Sequence, residues 1–159
     1  MGKLILFQGD SVTDCGRTSS GDPDGNLGVG YPYFITARLW ADRLGEEIET
    51  VNRGISGNRV VDLYARWKID ALNLNPDVLS ILIGVNDVWH EQSHQEGVDA
   101  ELFEETYRVL LRYTKRMLPE KKLILLGAYL THGTAAEKRL RSSRPKPEKR
   151  SFGKQLRLL

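Results

Sequence analysis

A single cysteine, Cys15, occurs in 159 residues, so no intramolecular disulfide can form and no cysteine-based metal cluster can be assembled. Such sparing use of cysteine fits a reducing compartment. Long hydrophobic runs are missing too. The N-terminal apolar stretch at residues 4–7 is far too short for a signal peptide or a membrane span. Leu6 stands where an N-myristoylation pattern needs Ser or Thr. These absences give the expectation of a cytoplasmic protein with no membrane contact. Histidine is scarce as well, at three residues (His90, His94 and His132), which leaves few candidates for any proton-transfer role.

The chain has a length suited to one domain, and its 40% hydrophobic content can supply one sizeable core. Its net charge of +2 is the sum of two unlike parts. Residues 1–131 carry 14 basic and 19 acidic side chains, whereas residues 132–159 carry 9 basic and 2 acidic ones. The reading is therefore a folded domain over residues 1–131 followed by a basic tail over residues 132–159. That tail lacks an apolar run of strand length and is rich in Arg, Lys, Ser and Pro, so disorder is expected of it. Its abrupt change of character also resembles translation out of frame. It has no aromatic interleaving on which bases would stack, which argues against a nucleic-acid partner.

Ahead of the tail, the short apolar run at residues 3–7 reads as a buried strand, residues 48–52 can form a second, residues 78–83 are a strongly apolar third and residues 123–126 a fourth. Between them, residues 32–44 space Phe34, Ala37, Leu39 and Leu44 roughly as a helix would, and residues 60–72 do the same with Val60, Leu63, Tyr64, Trp67 and Leu72. Residues 102–118 form the clearest amphipathic helix. Alternating strands and helices with apolar strands predict a parallel sheet in a three-layer α/β/α sandwich. Ligands should then bind beyond the carboxyl ends of the strands.

Three of the predicted strands run into unusual loops: Gly9-Asp10-Ser11-Val12-Thr13-Asp14, Asn52-Arg53-Gly54-Ile55-Ser56-Gly57-Asn58, and Gly84-Val85-Asn86-Asp87. A parallel sheet brings such loops to one edge. Acyl transfer needs an exposed hydroxyl there, together with donors facing the oxyanion that develops on attack. Ser11 supplies the hydroxyl and a backbone N–H, Gly57 an unobstructed N–H, and Asn86 a side-chain amide. Taken one at a time, the same residues also read as a helix N-cap, a turn glycine and an Asx-turn former.

In this order and behind three strands, the motifs resemble the first three blocks of the SGNH hydrolase (GDSL esterase/lipase) superfamily, over about residues 3–130. The resemblance implies a flavodoxin-like α/β/α fold and a serine ester hydrolase that works through an acyl-enzyme without metal or cofactor. It makes Ser11 the nucleophile and Gly57 and Asn86 the oxyanion hole, with Asp10 supporting the turn. Val88-Trp89-His90-Glu91 looks like the branch that cleaves small esters, including acetylated sugars.

The family's Asp-x-x-His block, which carries the base and its orienting group, is not found, so the fold is expected to be C-terminally incomplete. Tyr129 stands three residues before His132, and Asp87-Val-Trp-His90 has the spacing but overlaps the asparagine block. His132 is the remaining substitute. If the fourth strand lies two places from the first, His132 sits roughly 10 Å from Ser11, against the ~3 Å of direct proton transfer. Two rival readings follow: a catalytically dead SGNH-like binding domain, and a flavodoxin-like phosphate binder.

Overall fold

A computed structural model of the chain describes residues 2–22 and 24–128. Strand and helix alternate in the order β1 (Lys3–Gly9), α1 (Ser11–Asp14), α2 (Tyr31–Asp42), β2 (Ile48–Asn52), α3 (Val60–Asp70), a 3-10 turn (Leu72–Leu74), β3 (Val78–Leu82), α4 (Val85–His94), α5 (Ala100–Met117) and β4 (Lys122–Leu126). The strands form one parallel sheet in the order β2-β1-β3-β4. The chain leaves β1 toward one edge to make β2 and then crosses to the other side to make β3. That reversal opens a crevice at the carboxyl end of β1.

The pleat sorts β1 between two layers. Leu6 joins Leu79, Ile81 and Ile83 of the β3 region under Val60, Leu63 and Trp67 of α3 and Phe103, Tyr107 and Leu110 of α5, in one buried cluster. Phe7 points the opposite way and meets the ring of Tyr31 at the start of α2 edge-on, at 5.8 Å between centroids. This is the expected three-layer α/β/α sandwich with a parallel sheet.

The α3–α5 layer is the better packed, and its sequence says why. Helix α5 buries Phe103, Tyr107, Leu110 and Thr114 along one stripe. Against it lies Trp67, with 1% of its surface exposed. Its indole N–H donates to Thr114 Oγ1 at 2.8 Å, and the Thr114 hydroxyl in turn donates to the Leu110 carbonyl.

Two elements differ from the sequence expectation. Helix α2 turns Pro32 and Thr36 inward. Phe34, read from its spacing as part of an apolar stripe, is 66% exposed, and Leu44 lies beyond the helix at 87% exposed. Helix α4 is not expected from the sequence, which places residues 84–87 in a loop and assigns no element to the residues after it. Its sequence has few apolar residues, and its first turn coincides with the Asn86-Asp87 motif, so hydrophobic periodicity carried no signal. The expectations for residues 132–159, the disordered basic tail and His132 among them, lie outside the described residues. Among the described residues, no helix is long and apolar enough to cross a membrane.

Two substitutions test the α3–α5 layer. Trp67→Ala should cost about 3–5 kcal/mol through lost transfer energy and the cavity left behind. Thr114→Val should cost about 1–3 kcal/mol because it strands a buried indole N–H. Urea unfolding followed by circular dichroism measures both, and the order of the two losses is the check.

Candidate active site

Because β1 lies between β2 and β3, the loops after these three strands are neighbours, and the candidate residues fall on one edge. Ser11 opens α1 directly after β1 and is exposed. Gly57 sits in the loop after β2, and Asn86 is buried in the first turn of α4 behind β3.

Local backbone rules explain the first loop. Asp10 caps α1: its Oδ1 accepts the Val12 N–H at 3.0 Å, and its carbonyl accepts those of Thr13 and Asp14. The turn-supporting role expected of Asp10 is therefore what its contacts describe. Burial raises the pKa of its carboxyl above the usual carboxylate range. A side chain on Gly9 would overlap the Leu82 carbonyl and Thr13 Oγ1, so glycine is required where β1 meets the turn. An acidic cap also occupies the place a phosphate would take at this helix start, which counts against the phosphate-binder reading.

The first and second loops are locked together. Asp14 accepts four hydrogen bonds, from the backbone and hydroxyl of Thr18 and from the backbone and hydroxyl of Ser56. Burial raises its carboxyl pKa, but the bonds from Ser56 and Thr18 outweigh that and hold it at about 2. A Cβ on Gly54 would overlap the Asp14 backbone nitrogen. Asn52 adds a second tie, with Nδ2 donating to the Thr13 and Leu27 carbonyls while Oδ1 accepts the Gly54 N–H. The buried Arg17 guanidinium donates to the Gly54 carbonyl.

The second and third loops meet where Asn86 Nδ2 donates to the Asn58 carbonyl at 3.1 Å.

 An amide nitrogen carries two N–H groups, and this bond uses one of them. Gly57 has φ +84°, and among the described residues the one atom within 4 Å of a Cβ placed there is His90 Cε1 at 4.0 Å. A glycine suits that backbone and leaves its N–H unobstructed. Beneath these loops the Arg66 guanidinium donates to the Gly9 and Arg53 carbonyls, to Gln8 Oε1, to Asn58 Oδ1 and to Asp70.

The structure thus brings the Ser11, Gly57 and Asn86 loops together. His132 lies outside the described residues. Asp87 and His90 share α4, but the Asp87 carboxylate accepts the Val60 N–H at 3.0 Å. Among the described residues, no group of His, Cys, Asp and Glu is arranged to hold a metal ion. Sequence reasoning missed Arg66 and Asp87 as supports. The signal for Arg66 was a charge pair with Asp70, spaced i to i+4, beside the apolar positions Leu63 and Trp67 of the same helix.

The Asp14 clamp has a definite pH signature. Its folded pKa lies below the unfolded value of 3.8, so its contribution is complete above about pH 4 and is lost as pH falls toward 2. Thermal melts of the native chain should show falling stability across that window. Asp14→Asn should be less stable at pH 7 and show a flatter decline below pH 4.

The chain as a whole is similar to known proteins. Residues 7–149 fit the model of the GDSL-like Lipase/Acylhydrolase family. An acetylxylan esterase of Geobacillus stearothermophilus is 39% identical over 141 residues, which cover 83% of this chain and 62% of that protein. The match thus spans less than two thirds of the curated relative's length. A GDSL-like lipase from Parabacteroides merdae superposes with a TM-score of 0.83 at 41% identity, covering 99% of this chain and 73% of that one. The solved acetylxylan esterase superposes with a TM-score of 0.80 at 34% identity, covering 99% and 71%. Its catalytic mutants replace a serine, an aspartate or a histidine by alanine. With its sheet order, its three loops and a family match over most of its length, this chain belongs to the GDSL-like lipase/acylhydrolase family, within the SGNH hydrolases.

Proposed function

We propose that the chain is a serine ester hydrolase lineage member that acts on small acetyl esters, acetylated carbohydrate among them. The observation that carries this reading is the adjacency of three loops at the carboxyl ends of β2, β1 and β3. The substrate class follows from the acetylxylan esterases to which the chain is similar.

In this mechanism the Ser11 hydroxyl attacks the acyl carbon. The resulting oxyanion accepts hydrogen bonds from the Ser11 and Gly57 N–H groups and from the free N–H of Asn86. Collapse expels the alcohol and leaves the acyl group on Ser11, and water then releases the acid. Each donor of this kind is worth about 2.7–4 kcal/mol at the transition state.

Attack also requires a base to take the Ser11 proton. The described histidines are His90 and His94, on α4. Among the described residues Asp87 accepts the Val60 N–H and no hydrogen bond joins it to His90, so the two are not arranged as a triad pair. Donors without a base and its orienter leave a residual acceleration of about 10³–10⁴ over water. The chain is accordingly expected to turn over short-chain esters more slowly than about 1 s⁻¹.

The test is p-nitrophenyl acetate hydrolysis by the native chain and by Ser11→Ala. Slow release that the alanine variant abolishes supports the reading, and equal rates would sink it. Binding of an acetylated xylo-oligosaccharide with no Ser11-dependent release would instead favour a binding domain built on the same fold. Should turnover exceed 1 s⁻¹, His132→Ala and His90→Ala would identify the histidine that serves as base.

A further inference from the structure

Asp87 is fully buried, and the mechanism above gives it no chemical step. It is the third residue of α4, next to Asn86. Its Oδ1 and Oδ2 lie 3.0 and 3.3 Å from the backbone nitrogen of Val60, the first residue of α3. The N–H groups of a helix's first turn have no partner within the helix, and the macrodipole there favours a negative charge. The Asp87 carbonyl also accepts the Val98 N–H at 3.1 Å, which fixes α4 to the segment leading into α5.

The loop ahead of Val60 contains Gly57 and Asn58. Asn86 holds that loop by donating to the Asn58 carbonyl, and Asp87 holds it two residues later by accepting from Val60. Two consecutive side chains of α4 therefore grip one short segment, with opposite hydrogen-bond polarity. We infer that Asp87 is a positioning residue: its carboxylate fixes the Gly57–Val60 segment against α4, and so sets the spacing between the Gly57 N–H and the Asn86 amide. The inference rests on the ester-hydrolase reading, for which that spacing defines the oxyanion hole.

The charged groups around Asp87 bear on how it titrates. Arg59 and Asp62 act on it from the start of α3, and Arg59 also donates to the Glu96 carbonyl beyond α4. On α4 itself, His90 follows one turn later. Burial is the largest influence and raises the Asp87 pKa to about 6, against lowering by the Val60 hydrogen bond and Arg59. Ionisation is thus disfavoured by folding. The stability tied to this group is complete below about pH 4 and falls as pH rises through 6.

The experiment is a pH titration of the native chain from 4.5 to 8, followed by ¹⁵N–¹H correlation spectra. The Gly57 backbone amide and the Asn86 side-chain amide should shift with a shared midpoint near 6. Asp87→Asn should abolish that shared titration. His90→Gln is the necessary control, because imidazoles as a class titrate in the same range, and it should leave the midpoint in place. Persistence of the titration in Asp87→Asn, or its loss in His90→Gln, overturns the inference.

A kinetic arm separates positioning from mere support. At pH 8, Asp87→Asn should lower the rate of p-nitrophenyl acetate turnover on the order of tenfold, with KM within about twofold, since a neutral acceptor grips an N–H less firmly than a carboxylate. Its melting temperature should be no lower than that of the native chain. Lost activity that merely tracks a lower melting temperature would contradict positioning. If the native chain and Ser11→Ala react equally, the ester-hydrolase reading fails, while the spectra still decide whether Asp87 sets the two donors.

Discussion

The contact on which the site depends is the burial of the Asp14 carboxylate between two loops that are 42 residues apart in sequence at Ser56. A buried carboxylate is costly unless hydrogen bonds replace its water. Here Thr18 and Ser56 supply four such bonds, so the cost becomes a reason for the loops to stay together. Either loop alone would leave the charge half satisfied. The close approach of Gly54 to the Asp14 backbone follows from the same contact, since any side chain there would push the loops apart.

Around this clamp, each loop is held from two directions. Arg17 and Asn52 fix the segment at Gly54, while Arg66 reaches up from α3 to the Gly9 and Arg53 carbonyls and to Asn58. Arg66 is suited to this because a planar guanidinium presents several donors in a fixed geometry. Its burial lowers its pKa, partly offset by Asp70. The apolar cluster of α3 and α5 continues directly beneath, so the polar network rests on closely packed side chains.

Strands β1 and β3 were legible as short apolar runs, and α3 and α5 because burial of one face imposes a period that leaves a trace in sequence. The run Leu79-Ser80-Ile81 marks β3, and the stripe Phe103, Tyr107, Leu110 marks α5. The motif residues Ser11, Gly57 and Asn86 were legible for another reason: they follow strands whose order a parallel sheet converts into neighbourhood. Helix α4 left no such trace, since its inward residues at the first turn are Asn86 and Asp87. Helix α2 misled because its buried positions are Pro32 and Thr36, while Phe34 faces solvent. The supporting network was invisible for a more general reason. Hydrogen bonds between Arg66 and Gly9, 57 residues apart, obey no local spacing rule.

The arrangement also answers an electrostatic difficulty. On the proposed reading the site holds a developing anion, and three buried aspartates, Asp10, Asp14 and Asp87, belong to its loops. Three free negative charges there would oppose catalysis. They are handled in different ways. Asp14 stays ionised, with its charge taken up by four donors. Asp10 and Asp87 each accept a backbone N–H at a helix start, and burial moves both toward the neutral form. The buried Arg17 and half-buried Arg66 guanidiniums lie behind the loops and offset what remains. The oxyanion itself would then meet short-range dipoles, the N–H groups of Ser11, Gly57 and Asn86. Donors of this kind act locally and are preorganised, so on the proposed reading the acids serve to shape the loops that hold them.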